Sequence, residues 1–108
     1  MKTYKLRDLA AVIRSKNSGP YELTFDILFK DKSVFDKLVS ADIMNKRLMS
    51  QLYGIPESYI LNIIEFAKAR AIKITIKRPM ASGDLGDRDI YGAQQHAPLM
   101  DLEFQLAD

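Results

Sequence analysis

The chain has no cysteine among its 108 residues. Disulfide bonds, thiolate zinc sites, iron–sulfur clusters and cysteine nucleophiles are therefore all excluded. It has a single histidine, His96, so any mechanism that needs an imidazole depends on that one residue. We expect neither a metal site nor a cofactor.

The chain also lacks an excess of charge of one sign, and it lacks long apolar runs. Sixteen basic and 14 acidic residues leave a formal net charge of +2, which is too even to indicate nucleic acid as a partner. No apolar run is long enough to span a bilayer, and residues 1–5 are not followed by the apolar core of a signal peptide. We therefore expect a cytoplasmic protein that binds neither nucleic acid nor a membrane.

What the chain does contain is enough apolar sequence for one core. Hydrophobic residues make up 47% of the chain, and its length is that of one domain. No repeat, low-complexity tract or linker interrupts it. We expect a single domain over residues 1–108.

Alternating apolar and polar residues predict several strands. The clearest alternation covers residues 21–30 and is typical of a sheet with one covered face. Residues 72–77 and 102–106 alternate in the same way. Residues 60–66 are mostly large and apolar, which predicts a buried strand antiparallel to residues 72–77. The consecutive apolar residues in 6–14 leave a short strand and a helical turn both open.

Two helices are predicted between the strand pairs. Ser33 is the expected N-cap of the first, with Asp36 approximating a capping box. The second is expected to begin after Asp42 and to end at Gly54 in a left-handed conformation, with Pro56 preventing its continuation.

The order of these elements predicts the fold class. Residues 79–89 are expected to form a loop, and residues 91–97 a short helical turn ended by Pro98. Helices that follow one strand pair and precede the next favour an α+β domain, in which the helices pack on one face of an antiparallel sheet. We predict a ferredoxin-like variant.

The first candidate ligand site is a predicted turn that contains Arg14, Ser15, Lys16 and Asn17. Cations, hydroxyls and backbone N–H groups in such a turn bind a carboxylate or a phosphate. The segment lacks the spacing of a P-loop. An ordinary polar turn between strands uses the same residue types, and this alternative stays open.

The second candidate site contains Gln94, Gln95 and His96. Two amides and an imidazole are costly to bury without partners, so their clustering predicts a recognition site or an interface. His96 is the candidate catalytic residue, acting as a general base or orienting a ligand. A purely structural histidine is the alternative.

Two further charged groups have less specific interpretations. Residues 82–89 hold three aspartates without the spacing of a calcium-binding EF-hand loop, which favours a solvated loop. Lys73 and Lys77 share one strand face, where they are predicted to oppose Glu22 and Asp26 across the sheet.

Six stretches of sequence carry a resemblance to a known family. They are Tyr-Lys-Leu-Arg-Asp-Leu-Ala at 4–10, Ile-Arg-Ser-Lys-Asn at 13–17, Gly-Pro at 19–20, Glu-Leu-Thr at 22–24, Ala-Ile-Lys-Ile-Thr at 71–75, and Tyr-Gly-Ala-Gln-Gln-His-Ala-Pro-Leu at 91–99. With them the chain resembles, over nearly its whole length, a family of small bacterial proteins of unknown function.

The resemblance implies a partner. Such proteins typically accompany larger proteins that resemble the acyclic terpene utilisation protein AtuA, some of which carry a similar ferredoxin-like domain at their C-terminus. The first turn of that domain reads Arg-Ser-Gly-Asp-Lys-Gly-Asp. Arg14 and Ser15 match this run, whereas its acidic positions have no counterpart here. The resemblance further implies a place in organic-acid or acyl-CoA catabolism.

Three functions are compatible with these observations. The leading hypothesis is an accessory subunit of an AtuA-like protein. The second is a free-standing lyase or isomerase, in which Arg14 or Lys16 holds a carboxylate substrate and His96 moves a proton. The third is a non-catalytic homo-oligomer that packs through the second face of its sheet. The sequence alone does not decide whether the chain is an enzyme.

Overall fold

Two β-hairpins with two helices between them form the centre of the domain. The computed structural model describes residues 2–19, 21–77 and 97–106. The elements of this described part are β1 (Lys2–Lys5), α1 (Leu6–Leu9), β2 (Ala10–Gly19), β3 (Glu22–Phe29), α2 (Lys32–Ser40), α3 (Lys46–Tyr53), β4 (Ile60–Phe66), β5 (Ala71–Lys77), α4 (Ala97–Met100) and β6 (Glu103–Leu106). Short 3-10 turns at Glu57–Tyr59 and Ala67–Ala69 flank β4.

The strands form two antiparallel sheets. The larger sheet has the order β2-β3-β5-β4, so that β3 and β5 are central and β2 and β4 lie at its edges. The α+β class, the antiparallel sheet and the pairing of β4 with β5 are confirmed. The predicted C-terminal strand is present as β6, and it pairs with β1 in a separate two-stranded sheet. The four residues of β1 are too few for alternation to reveal a strand.

The N-cap residues of both helices differ from those predicted. Asp31, not Ser33, caps α2: its carboxylate accepts the Ser33 backbone N–H at 2.8 Å. An ionised carboxylate is a stronger hydrogen-bond acceptor than a neutral hydroxyl. The hydrogen bonds from the backbone and the side chain of Ser33 stabilise the ionised form and hold the pKa of Asp31 below its usual value. Asn45, not Asp42, caps α3 by accepting the Leu48 N–H at 2.8 Å.

The end of α3 agrees with the prediction. Gly54 lies there with φ 63°, a left-handed conformation that costs glycine nothing.

Removing the Asn45 cap should measurably destabilise the domain. We expect Asn45→Ala to lower the free energy of unfolding by about 1 kcal/mol, because the first turn of α3 loses an acceptor for a backbone N–H. Urea denaturation measures this change. Asn45→Asp keeps an acceptor and should retain most of the stability; equal losses in both variants would contradict the capping role.

The core lies between the helices and one face of the larger sheet. Phe25 and Ile27 of β3 and Ile74 of β5 are fully buried there, beneath Leu38 of α2 and Met49 of α3. Two aromatic pairs join the layers. The rings of Phe25 and Tyr53 are 5.0 Å apart between centroids, and those of Phe29 and Phe35 are 5.9 Å apart. The alternation in residues 21–30 therefore predicted the covered face correctly.

Residues 6–14 contain both of the alternatives that the sequence left open, a helical turn and then the start of β2. Two other segments differ from their predictions. Strand β4 lies at an edge of the sheet, and of its residues only Ile60 is buried. Pro98 lies near the start of α4 instead of ending a helix, a position where the missing proline N–H costs nothing. The predicted loop at 79–89 and the predicted turn up to residue 96 lie outside the described residues.

Candidate functional site

The candidate site is the face of the larger sheet that lies opposite α2 and α3, called the second face below. Strand residues alternate between faces, so the neighbours of the buried core residues project here. Cross-strand partners share a face, which places them in rows. The members of the second face are Val12, Arg14, Lys16, Glu22, Thr24, Asp26, Leu28, Asn62, Ile64, Phe66, Ala71, Lys73, Thr75 and Lys77.

The two lysines of β5 face the two carboxylates of β3, as the sequence predicted. Glu22 opposes Lys77, and Asp26 opposes Lys73. The ion pair of Asp26, however, forms with Arg14 on its other side, where Arg14 Nε donates to Asp26 Oδ2 at 3.3 Å. Asp26 is only 18% exposed, which makes this pair less screened than a surface pair.

The two lysines of β5, Lys73 and Lys77, differ in their surroundings. Lys77 Nζ lies 5.2 Å from the centre of the Tyr59 ring, a cation–π distance. Lys73 is partly buried. Within the described part of the chain, no carboxylate oxygen lies within 4 Å of Lys73 or of Lys16.

The four predicted ligand residues on β2 do not act as one turn. The prediction of a turn at these four residues is wrong, because β2 continues to Gly19 and pairs with β3. Strand alternation sends Arg14 and Lys16 to the second face and Ser15 and Asn17 to the opposite face, where Ser15 is buried. The structure thus brings together the two cations and separates them from the two neutral residues.

The second predicted site cannot be placed relative to the first. Gln94, Gln95 and His96 lie outside the described residues. Their role as a recognition or catalytic group, and their proximity to Arg14, stay predictions.

Two buried threonines at the centre of the second face were not identified from the sequence as site residues. Thr24 is 1% exposed and Thr75 is 7% exposed, and the two are cross-strand partners. Among the residues that the structure describes, the Thr24 hydroxyl has no hydrogen-bond partner. The alternation of residues 21–30 placed Thr24 on the polar face, but alternation carries no information about how deeply a polar-face residue is buried.

One end of the second face is apolar. Val12, Leu28, Ala71 and Phe66 form a row across all four strands. Val12 is 37% exposed and Phe66 is 46% exposed, and Ile64 in the next row is 43% exposed. The exposed side chains therefore concentrate at the two edge strands.

A shallow groove of about 270 Å³ lies elsewhere, between α3 and β6. Its apolar lining comes from Ile43, Leu48 and Phe104, and Arg47 and Gln51 of α3 add polar atoms. Of the predicted functional residues that the structure describes, Arg14, Ser15, Lys16 and Asn17, none lines it. Within residues 2–19, 21–77 and 97–106, no three acidic or histidine side chains are close enough to hold a metal ion. None of the helices in those residues is long and apolar enough to cross a membrane.

Tyr53 gives the core a pH-dependent group. Burial raises the pKa of its phenol well above the ordinary value of 10.0. The folded state therefore holds this proton more tightly than the unfolded state. The contribution of this proton to the stability of the folded state is fully present below a pH of about 10. It is lost as the pH rises from there towards the pKa of Tyr53 in the folded protein.

We therefore expect the free energy of unfolding to fall above pH of about 10, and Tyr53→Phe to remove part of that fall. Urea denaturation over this pH range measures both slopes. Tyr21→Phe is a matched control, because Tyr21 is 55% exposed. A Tyr53→Phe slope equal to that of the unsubstituted protein would contradict the burial of this phenol.

Comparison with known proteins identifies a family and leaves its function open. The model of a domain of unknown function, DUF4387, matches residues 6–103. No curated protein and no solved structure is significantly similar to this chain. The match includes every strand of the larger sheet and thus the whole second face. The chain belongs to the DUF4387 family.

Proposed function

We propose that this domain is a small accessory subunit that binds a larger AtuA-like catabolic protein through strand β4. The observation that carries the proposal is the exposure of β4. The binding surface, called the β4 surface below, consists of Leu61, Ile64 and Phe66, which are 43%, 43% and 46% exposed.

An exposed apolar edge strand requires an explanation. Soluble proteins usually protect their sheet edges with charges, proline or a covering element, because a free edge pairs with other chains. Strand β4 has the sequence Ile-Leu-Asn-Ile-Ile-Glu-Phe, in which Glu65 is the only charge. In the described part of the chain, β4 pairs with β5 alone. Its apolar side chains and outer backbone groups are therefore both suited to contact a partner.

The neighbouring residues extend this surface. Phe66 is the β4 end of the apolar row that reaches Val12, and Ile64 is the β4 end of the row that contains Lys73, Asp26 and Arg14. An apolar centre with charged residues beside it is the usual composition of a specific interface. Arg14 and Lys16 would then lie next to the partner, where a shared ligand site is possible in a domain too small for much of its own.

The identity of the partner rests on the resemblance of residues 4–17, 71–75 and 91–99 to small proteins that accompany AtuA-like proteins. The same resemblance supports a place in organic-acid or acyl-CoA metabolism. The experiment is co-expression of the chain with an AtuA-like protein from the same organism, followed by size-exclusion chromatography. We expect the two to co-elute; separate elution at concentrations well above micromolar would overturn the proposal.

A second candidate function, a homo-oligomer, follows from the same exposed strand. A second copy could pair edge to edge along β4 and bury the same side chains. Light scattering of the isolated chain distinguishes the two. A monomer that becomes a heteromeric complex on adding the larger protein supports the accessory subunit, and a stable homodimer favours the alternative.

The free-standing lyase or isomerase stays a prediction that depends on His96. Assays with small carboxylates and acyl-CoA thioesters test it, and activity that is unchanged in His96→Ala would exclude the proposed proton transfer.

A further inference from the structure

We propose that the centre of the second face binds an oxyanion, either a carboxylate or a phosphate group, through Thr24, Lys16 and Lys73. This site shares no residue with the β4 surface, and we expect it to bind its ligand in the isolated chain.

The Thr24 hydroxyl is the first observation. Thr24 is 1% exposed, and its hydroxyl has no hydrogen-bond partner among the described residues, whereas buried polar groups nearly always have one. A valine of the same shape would avoid the cost of burying an unsatisfied hydroxyl. The presence of threonine at this position is therefore best explained by a hydrogen-bond partner for its hydroxyl that the described residues do not supply.

The second observation is the arrangement of positive charge around Thr24. Lys16 is its direct cross-strand neighbour on β2, and Lys73 lies one row away on β5. Neither lysine has a carboxylate within 4 Å in the described residues, because the nearby Asp26 is bound by Arg14. The partial burial of Lys73 makes its unpaired charge costly, and an anion would offset that cost.

The balance of charges on this face also favours an anion. Its four cations, Arg14, Lys16, Lys73 and Lys77, face two carboxylates, Glu22 and Asp26, so that the face carries a formal charge of +2.

Hydroxyl groups complete the chemistry. Thr24 donates one hydrogen bond through its O–H, and the mostly buried Thr75 opposite provides a second hydroxyl in the same row. Two ammonium groups and two hydroxyl donors suit the oxygens of a carboxylate or a phosphate. A neutral ligand would leave both lysines uncompensated.

The experiment titrates the isolated chain with inorganic phosphate and, separately, with acetate, against chloride at matched ionic strength. Amide NMR shifts of residues 16, 24 and 73 and the thermal midpoint are the readouts. We expect one or both anions to shift these amides saturably and to raise the midpoint beyond the effect of chloride. The stronger of the two responses shows whether phosphate or carboxylate is preferred. Equal responses to all three salts would overturn the proposal, because they indicate screening only.

Substitutions at Thr24 separate binding from folding. Thr24→Val should weaken binding about tenfold or more, the factor for losing a hydrogen bond to a charged group, while the ligand-free protein keeps or gains stability. Thr24→Ser keeps the hydroxyl and should retain binding. Lys16→Gln should weaken binding as well. Unchanged affinity in Thr24→Val would overturn the site, and it would leave the proposed role of β4 unaffected.

Discussion

Truncating Phe25 to alanine should lower the free energy of unfolding by about 4 kcal/mol, which is the usual cost of removing a buried aromatic side chain. Phe25 is fully buried on the central strand β3. Its ring contacts that of Tyr53 on α3, so the truncation leaves a cavity between the sheet and the helix. Neither layer closes this cavity easily, because each is held by its own hydrogen bonds. Urea denaturation with linear extrapolation measures the loss.

The matched control is the same truncation at an exposed position. Phe66→Ala removes an identical side chain from strand β4, where it is 46% exposed. We expect it to change the stability of the isolated chain by less than about 0.5 kcal/mol. Similar losses at the two positions would show that β4 is buried in the isolated protein, which would contradict both the fold and the proposed interface.

Placing charge on the β4 surface should abolish partner binding. We expect the double variant Ile64→Lys, Phe66→Lys to bind the AtuA-like protein at least about a hundredfold more weakly, since two apolar anchors are lost and two ammonium groups must be desolvated. Isothermal titration calorimetry measures the affinity. The stability of the isolated variant should stay close to that of the unsubstituted chain, because both residues are exposed.

Met100→Lys is the control for this second prediction. Met100 is also an exposed apolar residue, at 38%, but it lies on α4 and not on the β4 surface. The added charge should leave the affinity within about twofold of the original value. Equal weakening by both changes would mean that nonspecific charge, and not the β4 surface, controls the association.

The sequence predicted those elements whose two faces differ strongly. Strands β3 and β5 alternate apolar and polar residues, because one face covers the core and the other does not. That alternation also predicted that Lys73 and Lys77 share a face with Glu22 and Asp26, although the individual pairs, Glu22 with Lys77 and Asp26 with Lys73, follow only from the observed register. The family resemblance covered the same elements, and the family match agrees with its extent.

Other features depend on tertiary context that local patterns do not contain. The residues around Arg14 are of types that favour turns, yet pairing with β3 keeps them in a strand. The apolar sequence of β4 predicts burial, whereas the strand order places it at an edge. The hydroxyl of Thr24 is unusual because it is buried and has no partner in the described part of the chain, and neither property follows from the local sequence.

Hydrogen–deuterium exchange on the co-purified complex tests the central claim most directly. The amides of β4 should exchange more slowly in the complex than in the isolated chain, because the partner covers the strand or pairs with its outer edge. The amides of α2, on the opposite side of the sheet, should exchange at the same rate in both. Protection of α2 with unchanged exchange in β4 would contradict the proposal that β4 is the surface through which this domain binds its partner.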